Sequence, residues 1–190
     1  VISDIKNAGH EVILVSSGAI GMGLGKLSLK KKPTDIPTKQ AAAAVGQCEL
    51  MYTYDRLFTE YNHTVAQILL TGSDFQAEDR HENFNNTMDR LLDLGVLPII
   101  NENDTIATEE IKVGDNDTLS ALVAVSVQAD LLVILSDVDG LYSADPHKNA
   151  DAQLIERIHG MPESLFSLAG DAGSALGTGG MKTKLKAASL

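Results

Sequence analysis

The residues predict an α/β protein: a three-layer αβα sandwich built on a mostly parallel central sheet. Two observations carry this. Apolar runs of strand length, near residues 11, 64, 96 and 130, alternate with segments of helical periodicity. That alternation is satisfied by parallel strands, right-handed crossovers and helices on both sheet faces. Each run also gives way to a polar or glycine-rich stretch: Ser17–Gly23, Thr71–Asp74, Asn101–Asp117 and Ser136–Gly140. In open α/β sheets such loops gather outside the carboxyl ends of the strands, where ligands bind.

In chain order, Val1–Gly9 reads as the last turns of a helix closing at a glycine. His10–Val15 is the first strand, followed by Ser16-Ser17-Gly18-Ala19-Ile20-Gly21-Met22-Gly23. Glycines admit close approach to the backbone and helix amides attract anions. The same pattern also fits a tight turn with packing glycines. Lys30–Pro37 is a solvated basic loop, and Thr38 caps a long helix running to about Tyr61. Its apolar positions Ala41–Val45, Leu50, Met51, Tyr54, Leu57 and Phe58 form core or an oligomer face.

Thr64–Leu70 is a strand, Asp74–Glu82 a charged loop, and Phe84–Leu94 an amphipathic helix stopped by Gly95. Val96–Asn101 and Asp130–Leu135 are further strands, separated by a helix over Asp117–Ala129. Asp145-Pro146 opens a turn-rich loop, Leu154–Ile158 is a short strand, and Gly160–Ser174 is loop with a short helix. Leu176–Lys184 is a second glycine-rich segment leading into a helix. The chain starts at Val1 without Met and stops at Leu190 within a helical pattern. Both ends are expected to continue into a longer protein.

Composition narrows the function classes. The 190 residues are 44% hydrophobic and 22% charged, the balance of a soluble globular domain. Fifteen Lys and Arg against 26 Asp and Glu give a net charge of −11. That opposes broad nucleic-acid or anionic-membrane binding. Cys48 is the sole cysteine and reads as a small buried hydrophobe. His63 and His81 have no partners at metal-ligand spacing and read as surface residues; no metal ligand set is expected. With no signal peptide and no apolar run of membrane length, the expected location is the cytoplasm.

The densest polar chemistry is Asn101–Asp117, NENDTIATEEIKVGDND. Asn101, Asn103 and Asp104 are echoed by Asp115, Asn116 and Asp117, with Glu109 and Glu110 between. Both clusters adjoin strongly apolar segments, so they cannot be core; they are a solvated loop or a site. In the second glycine-rich segment, hydroxyls with Lys182 and Lys184 before a helix suit a polyphosphate. A mobile capped loop fits the same residues.

Taken together, SSGAIGMG, NEND, GDND, SDVDGLY with ADP, and GTGGMKTKLKAA resemble the glutamate 5-kinases of the amino-acid kinase superfamily. The likeness runs over nearly the whole chain. It implies the amino-acid kinase fold, truncated at both ends, with residues 1–190 as one partial kinase domain. The family's N-terminal Lys/Gly strand would precede Val1, and its later strands and any appended domain would follow Leu190. It implies ATP and Mg²⁺, with L-glutamate phosphorylated on its side-chain carboxylate in the first step of proline biosynthesis. Ser17, Asp104 and Asn116 would bind glutamate, with Asp104 on its ammonium group. Ser136 and Asp137 would border ATP. Thr178, Gly179, Gly180, Met181, Lys182, Thr183 and Lys184 would line it. Lys184 would stabilise the transferring phosphoryl group and Asp117 would orient the catalytic lysines. Proline as feedback inhibitor and a homo-oligomer follow from the same likeness. Two alternatives stand beside it: a sister kinase of acetylglutamate or aspartate type, and a non-catalytic sensor on the same scaffold.

Overall fold

The computed structural model describes residues 1–31, 33–107, 113–144, 146, 148–162, 165–166 and 180–190. Glu109, Glu110, Thr178, Gly179 and most of the 160–174 loop lie outside them. The chain divides into two compact units, Val1–Val113 and Gly114–Leu190.

The first unit is built on three parallel strands, β1 (Leu14–Val15), β2 (Val65–Leu70) and β3 (Leu97–Glu102), in the order β1-β3-β2. Leu14 pairs with Ile99 and Val65 with Leu97. The chain crosses from β1 over β3 to β2, then returns to β3. Reversing direction while keeping right-handed crossovers puts the two connections on opposite faces. One face carries α1 (Ile2–Asn7) and α3 (Ile36–Thr59). There Phe58 packs with Leu97 and Ile99, flanked by Ile2, Leu14, Met51, Tyr54 and Val65. The alternate residues of β3, Pro98 and Ile100, point the other way and are fully buried. On that side α5 (Glu78–Asp93) packs against β3 and buries Phe84 and Met88.

Helix α2 (Ala19–Lys26) lies on α3 at backbone contact. A Cβ on Gly23 would fall 1.8 Å from the Ala42 carbonyl oxygen, and one on Gly46 1.7 Å from that of Ala19. Two glycines thus serve helix packing. Gly18, at φ +96°, is different: it supplies the left-handed turn that lets α2 start directly after Ser17.

The structure departs from the sequence reading at several points. The long helix starts at Ile36, capped by Asp35, whose carboxylate accepts the Thr38 N–H at 2.9 Å, rather than by Thr38. Pro37 fits inside because first-turn amides need no helical partner. Asp74–Glu82 is not loop: α4 (Gly72–Gln76) and the start of α5 occupy it. Thr71 and Asp74 make a reciprocal capping box, and acids at 78 and 79 favour a helix N-terminus.

Cys48 is exposed, because the buried stripe of α3 runs through Ala42, Ala43, Gly46, Gln47 and Leu50 and misses it. His63 is buried rather than exposed, held in the turn that ends α3 with its ring 6.5 Å from that of Phe58. His81 is half-buried, its ring 6.2 Å from that of Phe75.

The second unit holds α6 (Asn116–Ser126) packed on α7 (Met181–Ala188). Leu141 and Leu185 form its small core with Ile155, Ile158, Met161 and Met181. Residues 130–135 form no strand, and Leu131, Val133 and Leu135 are exposed. A parallel strand needs a ladder and two covered faces; among the described residues this unit offers no sheet for it to join. Leu154–Ile158 contributes a single antiparallel bridge, Leu154 to Tyr142.

Candidate active site

Because the strands are parallel and in register, Ser17 and Asp104 leave neighbouring strands, β1 and β3, at the same sheet edge. Ser16 is absorbed by structure: it is buried, with its hydroxyl 2.8 Å from that of Tyr54. Ser17 beside it is exposed. Asn101 is also structural. Its side chain donates to Gln47 at 3.0 Å and accepts the Glu102 N–H at 2.9 Å. Beyond it, the Asn103 amide donates to the Leu70 carbonyl at 2.7 Å, and its own carbonyl accepts from Ile106 and Ala107. Asp104 sits within that turn, partly exposed. Buried Glu102 accepts the Val113 N–H at 2.6 Å, closing the far end of the loop back onto β3.

In GDND the glycine and the two aspartates have separate local tasks. Gly114, at φ +100°, takes a backbone conformation that costs other residues. Asp115 caps α6, its carboxylate accepting from the Thr118 amide at 2.7 Å and hydroxyl at 3.0 Å. That leaves Asn116 and Asp117 in the first helical turn. There a carboxylate is favoured by the unpaired amides and the helix dipole.

Lys184 Nζ is 3.1 Å from both Asp117 carboxylate oxygens, and the pair is about four-fifths buried, at 21% and 17% side-chain exposure. The Thr183 hydroxyl donates to the same carboxylate at 2.7 Å. The Gly180 carbonyl, also 2.7 Å from that hydroxyl, is already served by the Thr183 and Lys184 amides. One carboxylate therefore fixes an ammonium and a hydroxyl on the first turn of α7. This arrangement presents a positive charge at a defined place.

The remaining expected residues are scattered. Ser136 and Asp137 are exposed and lie together, hydroxyl to carboxylate at 3.5 Å. Lys182 is exposed, whereas Met181 is packed against the Leu141–Leu185 core. Sequence reasoning did not single out Gln40, Gln47 or Glu102, whose bonds include the Ala107 carbonyl, the Asn101 and Gln67 side-chain amides and the Val113 N–H. For the two glutamines the available signal was a polar residue recurring every seven positions along an otherwise small and apolar helix face.

The Amino acid kinase family matches residues 1–190, the whole chain. A glutamate 5-kinase of Carboxydothermus hydrogenoformans is 55% identical over 188 residues, 99% of this chain and 50% of that protein. Those of Clostridium tetani and Clostridium acetobutylicum are 57% and 56% identical, with 70% and 71% of their lengths covered. The chain spans about half the length of the first relative and about 70% of the other two. No helix among the described residues is long and apolar enough to cross a membrane. By the full-length family match and these identities, the chain belongs to the amino acid kinase family, among its glutamate 5-kinases.

Proposed function

We propose that the full-length protein transfers the γ-phosphoryl group of ATP to the side-chain carboxylate of L-glutamate, giving γ-glutamyl phosphate for proline biosynthesis. The observation that carries this reading is the Asp117–Lys184 pair with Thr183 on the same carboxylate, in a chain whose relatives bear the glutamate 5-kinase name.

The chemistry asks little of a base. A glutamate carboxylate is ionised near neutral pH. One of its oxygens forms the new bond to the γ-phosphorus. The bond from that phosphorus to the β–γ bridging oxygen breaks, and ADP leaves with the electron pair. What the protein must supply is alignment and positive charge against the transferring oxygens. Lys184 provides the charge, and Asp117 holds it to one position. Asp104 receives the substrate ammonium, while Ser17 and Asn116 bind its carboxylate and neighbouring polar groups. Ser136, Asp137 and Thr178–Lys184 border the nucleotide.

Magnesium carried with the nucleotide would neutralise phosphate charge. Asp117 is a poor ligand for it, since its oxygens already accept from Lys184 and Thr183. Inhibition by proline at the glutamate site and homo-oligomerisation belong to the same reading; light scattering that gave a monomer at micromolar concentration would remove the second.

The test is ADP release by the full-length protein across L-glutamate, N-acetylglutamate, aspartate and carbamate, with and without Mg²⁺. Turnover confined to L-glutamate is expected. Equal turnover with N-acetylglutamate or aspartate would move the protein to a sister kinase, and no turnover with any acceptor would favour a sensor.

A further inference from the structure

Helix α3 carries polar side chains at Gln40, Gln47 and Tyr54, two helical turns apart on one face. Gln40 donates to the Ala107 carbonyl at 3.4 Å. Gln47 accepts from Asn101 at 3.0 Å and donates to Gln67 at 3.2 Å. The Tyr54 hydroxyl is 2.8 Å from that of Ser16. Three of these four partners lie on segments that carry an acceptor-site residue; Gln67 lies on β2. Ser16 precedes Ser17. Asn101 and Ala107 bracket Asp104 at the two ends of its turn.

We propose that this stripe, with Gln47 at its centre, is the positioning element of the amino-acid acceptor site. It fixes the Ser17 and Asp104 loops against one rigid helix. Gln47 is buried among Ala42, Ala43, Gly46 and Leu50. An amide in such surroundings destabilises unless both its ends are bonded, and both are. Through Asn101 it reaches the Glu102 amide, so its hold passes into the backbone that leads to Asp104. The Gly23 and Gly46 contacts lock α2, which follows Ser17, to the same helix. Rigid scaffolding of binding loops lowers the ordering cost of capturing a ligand.

This inference rests on the glutamate-kinase reading for its kinetic outcome, so the experiment carries a second readout that does not. In the full-length protein, Gln47→Met keeps length and burial but removes both bonds, and Tyr54→Phe removes one hydroxyl. Tyr52→Phe, on an exposed ring, is the control. Gln47→Met should raise KM for L-glutamate about tenfold, the size of one lost hydrogen bond with a partner left buried. Tyr54→Phe should raise it about threefold. In both, kcat and the KM for ATP should stay within about twofold, and Tyr52→Phe should match wild type. Amide exchange at Asn103 and Ala107, without substrate, should quicken in Gln47→Met. Unchanged exchange overturns the positioning role whatever the enzyme does. Quickened exchange with an unchanged glutamate KM overturns its link to the acceptor site. A wild-type protein that does not turn over L-glutamate would instead bring down the kinase reading, and exchange alone would then decide whether the stripe holds the loops.

Discussion

The two units fix their functional side chains by different means. In Val1–Val113, three parallel strands set the loop positions, and neutral amides and hydroxyls on α3 hold the loops. In Gly114–Leu190, among the described residues, there is no sheet beyond one bridge, and a carboxylate shared by an ammonium and a hydroxyl joins α6 to α7. The difference suits the two tasks. Neutral bonds place backbone without adding charge beside a charged substrate. An ion pair keeps a lysine aimed at one place, which a phosphoryl group in flight requires. Damage to the α3 contacts should therefore show in folding and glutamate binding, and damage to the Asp117–Lys184 pair in rate.

The largest effect is expected where the first unit is tightest. Gly46→Ala would drive a methyl group to 1.7 Å from a backbone carbonyl. Backbone cannot yield as a side-chain tip does, so the cost should be about 3 kcal/mol or more, enough to lower Tm by roughly 6–12 °C or prevent folding. Gly21→Ala, on the same helix pair with open space at its Cβ, should instead gain up to about 1 kcal/mol from helix propensity. Equal urea midpoints for the two variants would remove the close crossing of α2 and α3.

Next is the charge in the second unit. Lys184→Ala should lower kcat roughly 10²–10³-fold, by comparison with loss of one oxyanion donor, and leave the glutamate KM nearly unchanged. Asp117→Asn keeps the shape, weakens the hold on Lys184, and should resemble it in kind. In the first unit, Asp104→Ala removes the partner proposed for the substrate ammonium. Loss of about 1.5–3 kcal/mol should raise the glutamate KM about 10- to 150-fold with kcat little altered. Steady-state kinetics with both substrates checks both variants. If Asp104→Ala lowered only kcat, or Lys184→Ala raised only the glutamate KM, the division between the units would be wrong.

The smallest effect concerns pH. Burial by itself would raise the Asp74 carboxyl, but the Thr71 amide and hydroxyl and the Arg80 guanidinium outweigh it and hold the group below its ordinary value. The unfolded chain therefore takes up this proton first as pH falls. The stabilisation is complete above the unfolded value, near 3.9, and is lost as pH drops through the folded one. Asp74→Asn should cost about 1 kcal/mol at pH 7, with the gap to wild type narrowing in acid. Urea unfolding at pH 7 and at about pH 3 measures it; a gap independent of pH would mean the carboxylate charge is not what caps α4.

Much of the candidate site was readable in the chain as an expectation. Asn101–Asp117 stood out because polar clusters beside apolar runs can only be loop or site. Asp117 and Lys184, far apart in sequence, were both named through the family resemblance. Neither periodicity nor composition could show that one carboxylate would serve Thr183 as well. Where the reading failed, a local competitor was at work. Asp35 took the cap that Thr38 was expected to hold. A capping box turned the charged 74–82 stretch helical. Helical phase carried Cys48 outward, and the turn after α3 drew His63 inward.

Residue order alone marked three of the four expected strands and the helices between them, and with them the parallel sheet, because apolar periodicity and glycine or cap signals are properties of neighbours along the chain; the expected strand at 130–135 found no sheet to join among the described residues. Tertiary structure alone decided which glycines touch backbone, and that Gln40, Gln47 and Tyr54 reach Ala107, Asn101 and Ser16. Those contacts join residues 38 to 67 positions apart. Their existence depends on how α3 is rotated and seated on the sheet, which no local pattern encodes.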